Sequence, residues 1–547
     1  MPTMSTRVEP RVLVALLCVG LLAFYSGVVW YNLDNYFPVR GDEVLTMSAS
    51  HKLATTGVLG TDLATGLYGA ERRFFLNLPV QNLIQAAVFR VAGTGIRQAR
   101  LPSLVAGIAV VMCTTWFALR SFGWSAAVLT TVTLVFWRSN LIGTEPRPPL
   151  LALGQSGRYD VVVVALLWVT ILLLQSCVVR PRRTTAVLVG VFAGVTVLTQ
   201  FYGIAAIVLT AVTYVMRWGR ATWREAVPRW SAVGCLLVVV PYAVFILLNL
   251  DAFAAQATLQ GPRVQFFDPR FWLGNLINET SRYTSVTEPA VLTLGEASLI
   301  GPWMLWAGAL PGIVPLIAFA RGAGVNGALP WLTLAVPFAV LAFVEQTKAV
   351  LYTSLLVPSL SLCLACGLDA VIRGRLFGSR WPVVFRVLRV ATAALLVVLI
   401  GEGLRGYRFS VRESDRVTPY LHLGRQLSSF MPDEAAVLGA WKWWWALGDR
   451  RYFAVNGFWQ HSRRVSVSGD FPSFREELHT KGASYVVVDR DFLADLDRTV
   501  PAYRLDAVRF IDDCSVIVGV VNDVTYGRIE VRRFSCPAGL ISSDVTQ

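Results

Sequence analysis

The chain has 547 residues, 55% hydrophobic and only 15% charged. A soluble domain is about 25% charged, which excludes one large soluble enzyme and a disordered chain alike. The net charge of +14 sits wholly in residues 1–407, with 31 Lys/Arg against 17 Asp/Glu, while residues 408–547 hold 18 of each; the excess therefore follows the apolar half and is not the basic face of a nucleic-acid binder.

A membrane span needs about 20 mostly apolar residues. Such runs recur from Val12–Val29 to Ala391–Leu404, and none follows Tyr407. The first run has no small-residue cleavage site and reads as a retained helix rather than a signal peptide. Spans are expected near 11–31, 101–119, 125–142, 160–178, 186–199, 201–217, 231–248, 301–320, 328–344, 349–372 and 387–405. The fifth and sixth meet at Gln200, which predicts a tight hairpin there. This is a polytopic α-helical membrane protein of eleven transmembrane helices.

Orientation follows from arginine. Short Arg-rich loops stay in the cytoplasm, and fourteen arginines, from Arg120 through Arg180, Arg217 and Arg321 to Arg389, fall between the spans. All lie inside only if the short segment Asn77–Ala92, which carries Gln81, Asn82, Gln85 and Arg90, lies along the outer surface as an amphipathic helix. The polar material is then outside: the loop 32–100, the segments 143–159 and 249–300, and the tail. Residues 1–407 form a transmembrane domain with outer loop 32–100, and residues 408–547 an extracytoplasmic α/β domain. Scarce Lys, four of 49 basic residues, reads as GC-rich bacterial composition, which suggests a plasma membrane and a cell-envelope role.

The tail reads as strands at Ala435–Leu438, Tyr452–Val455, Tyr485–Val488, Val516–Val521 and Ile529–Val531, with a helix at Phe474–Lys481. Its two cysteines, Cys514 and Cys536, flank the last two strands; paired as a hairpin, these strands bring the cysteines together as a disulfide. The other six cysteines lie in apolar runs, and no Cys or His has metal-ligand spacing. Trp441, Trp443, Trp444 and Trp445 serve either a sugar or, the blander use, a core or membrane interface.

Asp42 and Glu43 lie about ten residues past the first span. Carboxylates near a low-dielectric surface stay ionised only with a polar or cationic partner. An ionised one takes a proton from an acceptor hydroxyl as general base. The same pair also suits the cap and first turn of a helix through Ala49 to Thr55. Both uses stay open, and they are compatible. Arg72 and Arg73 fit either a lipid phosphate or anionic headgroups. Arg158 and Asp160 fit either a structural pair or a cavity.

Gly41-Asp42-Glu43, Ser48 to Gly57, Phe75-Leu76-Asn77-Leu78-Pro79, Phe89 to Gly93, Ala99 to Ser103, Arg120 to Gly123 and Arg158-Tyr159-Asp160 follow in an order and on a membrane side that resemble the polytopic GT-C glycosyltransferases. The resemblance is in particular to the group with protein O-mannosyltransferases and the lipid A aminoarabinose transferase. The resemblance covers about residues 10–220. It implies a GT-C fold, a polyprenyl-phosphate sugar donor, and an acceptor that is a glycan, lipid or protein. Asp42 would be the base and Glu43 would steady the site. Arg158, Tyr159 and Asp160, with Arg72, Arg73 and Asn77, would bind the donor. Some relatives hold a metal through a Glu where this chain has Asn77, and through a His in the 249–300 loop, where this chain has none. A divalent ion on Asp42, Glu43, Glu71 and Asp160 therefore stands level with no metal at all. The rival readings are a lipid or glycan transporter and a non-catalytic glycolipid-binding relative. They part from a transferase by whether Asp42, Glu43 and Asp160 converge.

Overall fold

The computed structural model describes residues 10–138, 148–257, 268–280, 325–373 and 382–536, apart from 37, 65–67, 347, 349, 448–449, 456, 458–472, 498 and 500; it also describes 282, 310 and 317. Among the described residues, six helices are long and apolar enough to cross a membrane, and four shorter apolar helices accompany them. Together they match ten of the eleven expected spans. The 301–320 span, with Arg321, Arg375 and Arg380, lies outside the described residues, as do 139–147 and most of 281–300.

The helices are α1 (Pro10–Trp30), α2 (Gly41–Thr56), α3 (Pro79–Ala92), α4 (Ile96–Phe122), α5 (Trp124–Phe136), α6 (Pro149–Gly154), α7 (Asp160–Val179), α8 (Arg183–Val197), α9 (Ala205–Trp218) and α10 (Ala226–Leu247). They continue as α11 (Leu250–Ala257), α12 (Pro269–Ile277), α13 (Val325–Phe343), α14 (Val357–Ile372) and α15 (Pro382–Ser414). Between apolar helices lipid gives no hydrophobic drive, so close approach of small residues holds them. At the crossing of α8 and α10, a Cβ on Gly190 would fall 1.8 Å from Ser231 O, and one on Gly234 would fall 2.1 Å from Val187 O. The hairpin at Gln200 is present. The Gln200 side chain accepts the Phe201 N–H as α8 gives way to a single 3₁₀ turn.

The helices have two distinct ends. Arg120 donates to Ser176 Oγ at 3.1 Å, Gln175 to Ser121 Oγ at 2.9 Å, and Arg389 to Ile372 O at 2.7 Å. Arg373 and Asp369 both bond Ser125. These basic residues therefore gather at one end. The starts of α4 and α7 lie at the other.

α3 stays at that second end. Val80 N–H donates to Leu198 O, Gln85 Nε2 to Ala99 O and Gly157 O, and Arg90 to Leu53 O and Ala54 O. Its 14 residues span about 21 Å, short of the roughly 30 Å of a hydrocarbon core. Its buried glutamines face protein rather than lipid.

After α15, which runs unbroken through position 407, the chain forms α16 (Tyr420–Ser428), β1 (Ala436–Gly439), β2 (Arg451–Ala454), α17 (Phe474–Lys481), β3 (Tyr485–Val488), α18 (Arg490–Leu496), α19 (Pro501–Cys514), β4 (Ser515–Asp523) and β5 (Gly527–Phe534). All five expected strands are present, each within a few residues. The sheet order is β2-β1-β3-β5-β4. β1 pairs in parallel with β2 and β3, and β5 is antiparallel to β3 and β4. The tight turn between β4 and β5 forms because Asp523 Oδ1 accepts both Thr525 and Tyr526 N–H at 2.8 Å and Gly527 takes φ 75°.

The hairpin brings the expected disulfide together. Cys514 and Cys536 are bonded, with Cα atoms 4.9 Å apart. In the chain-entropy account a loop of this size stabilises by about 3 kcal/mol.

The tail docks on the segment 32–100 and shares a hydrophobic core with it, from Val39, Val44 and Met47 to Trp443, Val486 and Ile529. The tryptophans serve this docking. Trp443 is fully buried, stacks on Tyr420, and donates Nε1 to Asp489 at 2.9 Å. Trp444 and Trp445 meet His51, and Trp445 also meets Phe89.

Candidate active site

α2 begins at Gly41, with Arg40 as its N-cap in extended backbone and no side-chain cap bond. Asp42 and Glu43 therefore occupy the first turn, where acids suit the helix dipole, and neither is the cap. Gly57 ends the helix in the left-handed region at φ 75°, its N–H returning to Leu53 O. Consecutive residues on a helix point about 100° apart, so the two carboxylates take different partners.

Glu43 points inward and is 3% exposed. Arg100, wholly buried near the start of α4, holds it two-pronged at 2.6 and 2.8 Å. Gly157 N–H adds a third bond at 2.7 Å, and Arg100 donates on to Leu33 O at 2.9 Å. Glycine at 157 leaves room for this hold: a Cβ there would lie 2.8 Å from Glu43 Oε1 and push it aside. This arrangement steadies α2 against α4 and the start of α7.

Asp42 points outward, its side chain 63% exposed. Arg158 Nη1 donates to Asp42 Oδ2 at 2.6 Å, and Arg158 Nε donates to Asp160 Oδ2 at 2.8 Å. Asp160, wholly buried in the first turn of α7, also accepts from Tyr202 Oη at 2.9 Å. The Arg158 guanidinium lies 5.7 Å from the centre of the Tyr159 ring. One guanidinium thus spans an exposed carboxylate and a buried one, and Asp42, Glu43 and Asp160 meet at one end of the helices.

Asn77 Nδ2 reaches Thr46 Oγ1 at 3.4 Å, one turn along α2 from Asp42. Arg73 donates to Asn249 at 2.9 Å, and Gln256 on α11 holds the Arg73 and Phe75 backbone. Arg72 and Arg73 are exposed and join neither Asp42 nor Asp160. Among the described residues no three Asp, Glu, His or Cys cluster as metal ligands. Guanidinium groups stand where a cation would: Arg158 between Asp42 and Asp160, and Arg100 on Glu43. Glu71 lies instead within electrostatic reach of Lys481.

Sequence reasoning passed over three participants. Arg100 carried a signal, a charge at the start of an apolar run. Gly157 and Tyr202 carried none, since their roles come from chain crossings 114 and 42 residues long.

No family model matches the chain, and no curated protein does. Solved structures do. The chain is similar to ArnT from Cupriavidus metallidurans bound to undecaprenyl phosphate, at 15% identity and a TM-score of 0.58, over 95% of this chain and 99% of that one. The apo state of the same protein gives 16% and 0.59, over 96% and 99%. The Archaeoglobus fulgidus oligosaccharyltransferase in complex with Zn and sulfate gives 12% and 0.55, over 95% of this chain and 72% of that one. The chain therefore has the GT-C fold: an integral membrane protein of apolar helices with a C-terminal sheet domain.

Proposed function

We propose that the chain is a membrane glycosyltransferase, moving a sugar from a polyprenyl-phosphate donor to an acceptor hydroxyl on the outer face of a bacterial plasma membrane. The observation that carries this reading is the Arg158 bridge between Asp42 and Asp160. Asp42 is the accessible base. Glu43 fixes the helix that presents it.

Arg158 holds the base and faces the leaving phosphate. As the anomeric bond breaks, charge grows on that phosphate. The guanidinium then follows the charge and releases Asp42 to take the acceptor proton. Phosphate is a good leaving group, so one base and phosphate-holding cations suffice. Tyr159 and Asn77 flank the donor, and Arg72 and Arg73, exposed a few residues before Asn77, add positive charge for its phosphate. Undecaprenyl phosphate bound to ArnT, and dolichol-phosphate bound to the archaeal oligosaccharyltransferase, support the choice of donor.

The test is to incubate the purified protein with a panel of polyprenyl-phospho-sugars. Release of polyprenyl phosphate from one of them is the expected result. Intact donor throughout would leave a binding relative or a transporter.

The gathered arginines and the disulfide, which persists in oxidising compartments, support an outer site. In a variant lacking the free cysteines, new cysteines at Ser121 and Thr184 should resist an impermeant thiol reagent in intact cells, and one at Ser156 should react. The reverse pattern would move the site and the sheet domain to the cytoplasm.

A further inference from the structure

A second feature adjoins the site: a cavity of about 1300 Å³ between the segment Pro38–Arg40 and the sheet domain, walled by Lys442, the turn from β3 into α18, and β5. We propose that this cavity binds the acceptor, and that the acceptor is an uncharged glycan. The inference rests on the transferase reading and names the substrate class that completes it.

Position comes first. Arg40 lines the cavity and caps the helix that carries Asp42, two residues on. It lies within electrostatic reach of Asp42 and Arg158 on one side and of Asp491 on the other. Arg40 therefore links the cavity to the surroundings of the base. Tyr526 ties the walls together, since Val39 N–H donates to its hydroxyl at 3.3 Å.

Size comes second. The volume exceeds the roughly 300–1,000 Å³ of an ordinary small-molecule pocket, and suits an extended ligand of several rings.

Charge decides the class. The lining carries five basic and five acidic side chains, equal in number, and most of them are held in ion pairs. Lys442 bonds Asp489 at 2.6 Å and Asp491 at 2.7 Å; Glu530 bonds Arg528 at 2.8 Å and Arg532 at 2.6 Å. Such a wall offers no field of one sign to draw a phosphorylated lipid headgroup or a charged peptide. It does offer fixed donors beside fixed acceptors, which is what a hydroxyl needs, since it both gives and takes a hydrogen bond. Groups already held in ion pairs also lose little freedom on binding.

The test uses neutral oligosaccharide fragments of mannan, arabinan and galactan, with a phosphorylated glycolipid and a basic peptide as controls. Equilibrium dialysis against the full-length protein needs no donor and so reads the cavity alone. At least one neutral fragment should bind. Asp491→Ala and Arg528→Ala, at side chains 58% and 62% exposed and so tolerant of change, should each weaken it about tenfold. With an active donor, the same substitutions should raise the KM for that fragment about tenfold and the KM for the donor by about twofold or less. Binding of a control but of no neutral fragment overturns the acceptor class. Neutral binding that both substitutions leave unchanged, or no binding of any probe, overturns the cavity. Fragment binding without cleavage of any donor refutes the transferase and spares the cavity.

Discussion

Asp42→Asn is expected to slow sugar transfer by about a hundredfold or more, the usual contribution of a general base. The substitution keeps the shape of the side chain and an oxygen for Arg158 Nη1, which donates to it at 2.6 Å, but removes its capacity to take a proton. Stability should hardly change. The side chain is 63% exposed and lies in the first turn of α2, where surface substitutions stay within about 0.5 kcal/mol. Arg158 keeps its second partner, Asp160, at 2.8 Å, so the donor side of the site should survive. The measurement is the initial rate of transfer at saturating donor and acceptor, beside the donor Kd. The expected pattern is a large fall in kcat with the donor Kd nearly unmoved. Turnover within about threefold of normal would remove Asp42 from the role of base.

The features that could be read before the structure are local ones. Gly41-Asp42-Glu43 opens a helix because acids suit a first turn, and Gly57 closes it because only glycine takes that left-handed position cheaply. Alternation in Val516–Val521 and Ile529–Val531, with turn residues between, places the hairpin and with it the Cys514–Cys536 bond. Long apolar runs mark the spans. None of these signals looks beyond its own segment. The acids suit cap and first turn alike; they take the first turn and Arg40 takes the cap, because cap chemistry and first-turn chemistry favour the same residues. The partner of each carboxylate was invisible for another reason. Glu43 and Arg100 are 57 positions apart and meet only because α2 and α3 fold back over the start of α4. The Trp441–Trp445 segment is a similar case: its composition suits a sugar, a membrane or a core alike, and the packing of α2 against the tail decides among them.

That same fold-back makes Arg100 the side chain whose loss should cost most. Arg100 is wholly buried and Glu43 is 3% exposed. Arg100→Ala strands a carboxylate with only Gly157 N–H left to it, and breaking a buried pair from one side costs about 3–5 kcal/mol. The loss should show as a lowered midpoint of thermal unfolding in detergent and as transfer that fails with stability. Removing both charges is a different matter. Buried pairs repay little more than their own desolvation, so Arg100→Met with Glu43→Leu should recover most of the lost stability. It should not recover the full rate, because the three-way hold on Glu43 also aims the turn that carries Asp42. Arg100→Ala with a midpoint equal to the wild type would end the claim that this pair anchors α2. A double variant with normal turnover would show that Asp42 is aimed by something else. Gly157→Ala separates the two effects: it leaves both charges in place and pushes a methyl group within 2.8 Å of Glu43 Oε1. Its expected signature is a fall in kcat larger than its small loss of stability accounts for, since what it disturbs is the position of α2 rather than the balance of buried charge.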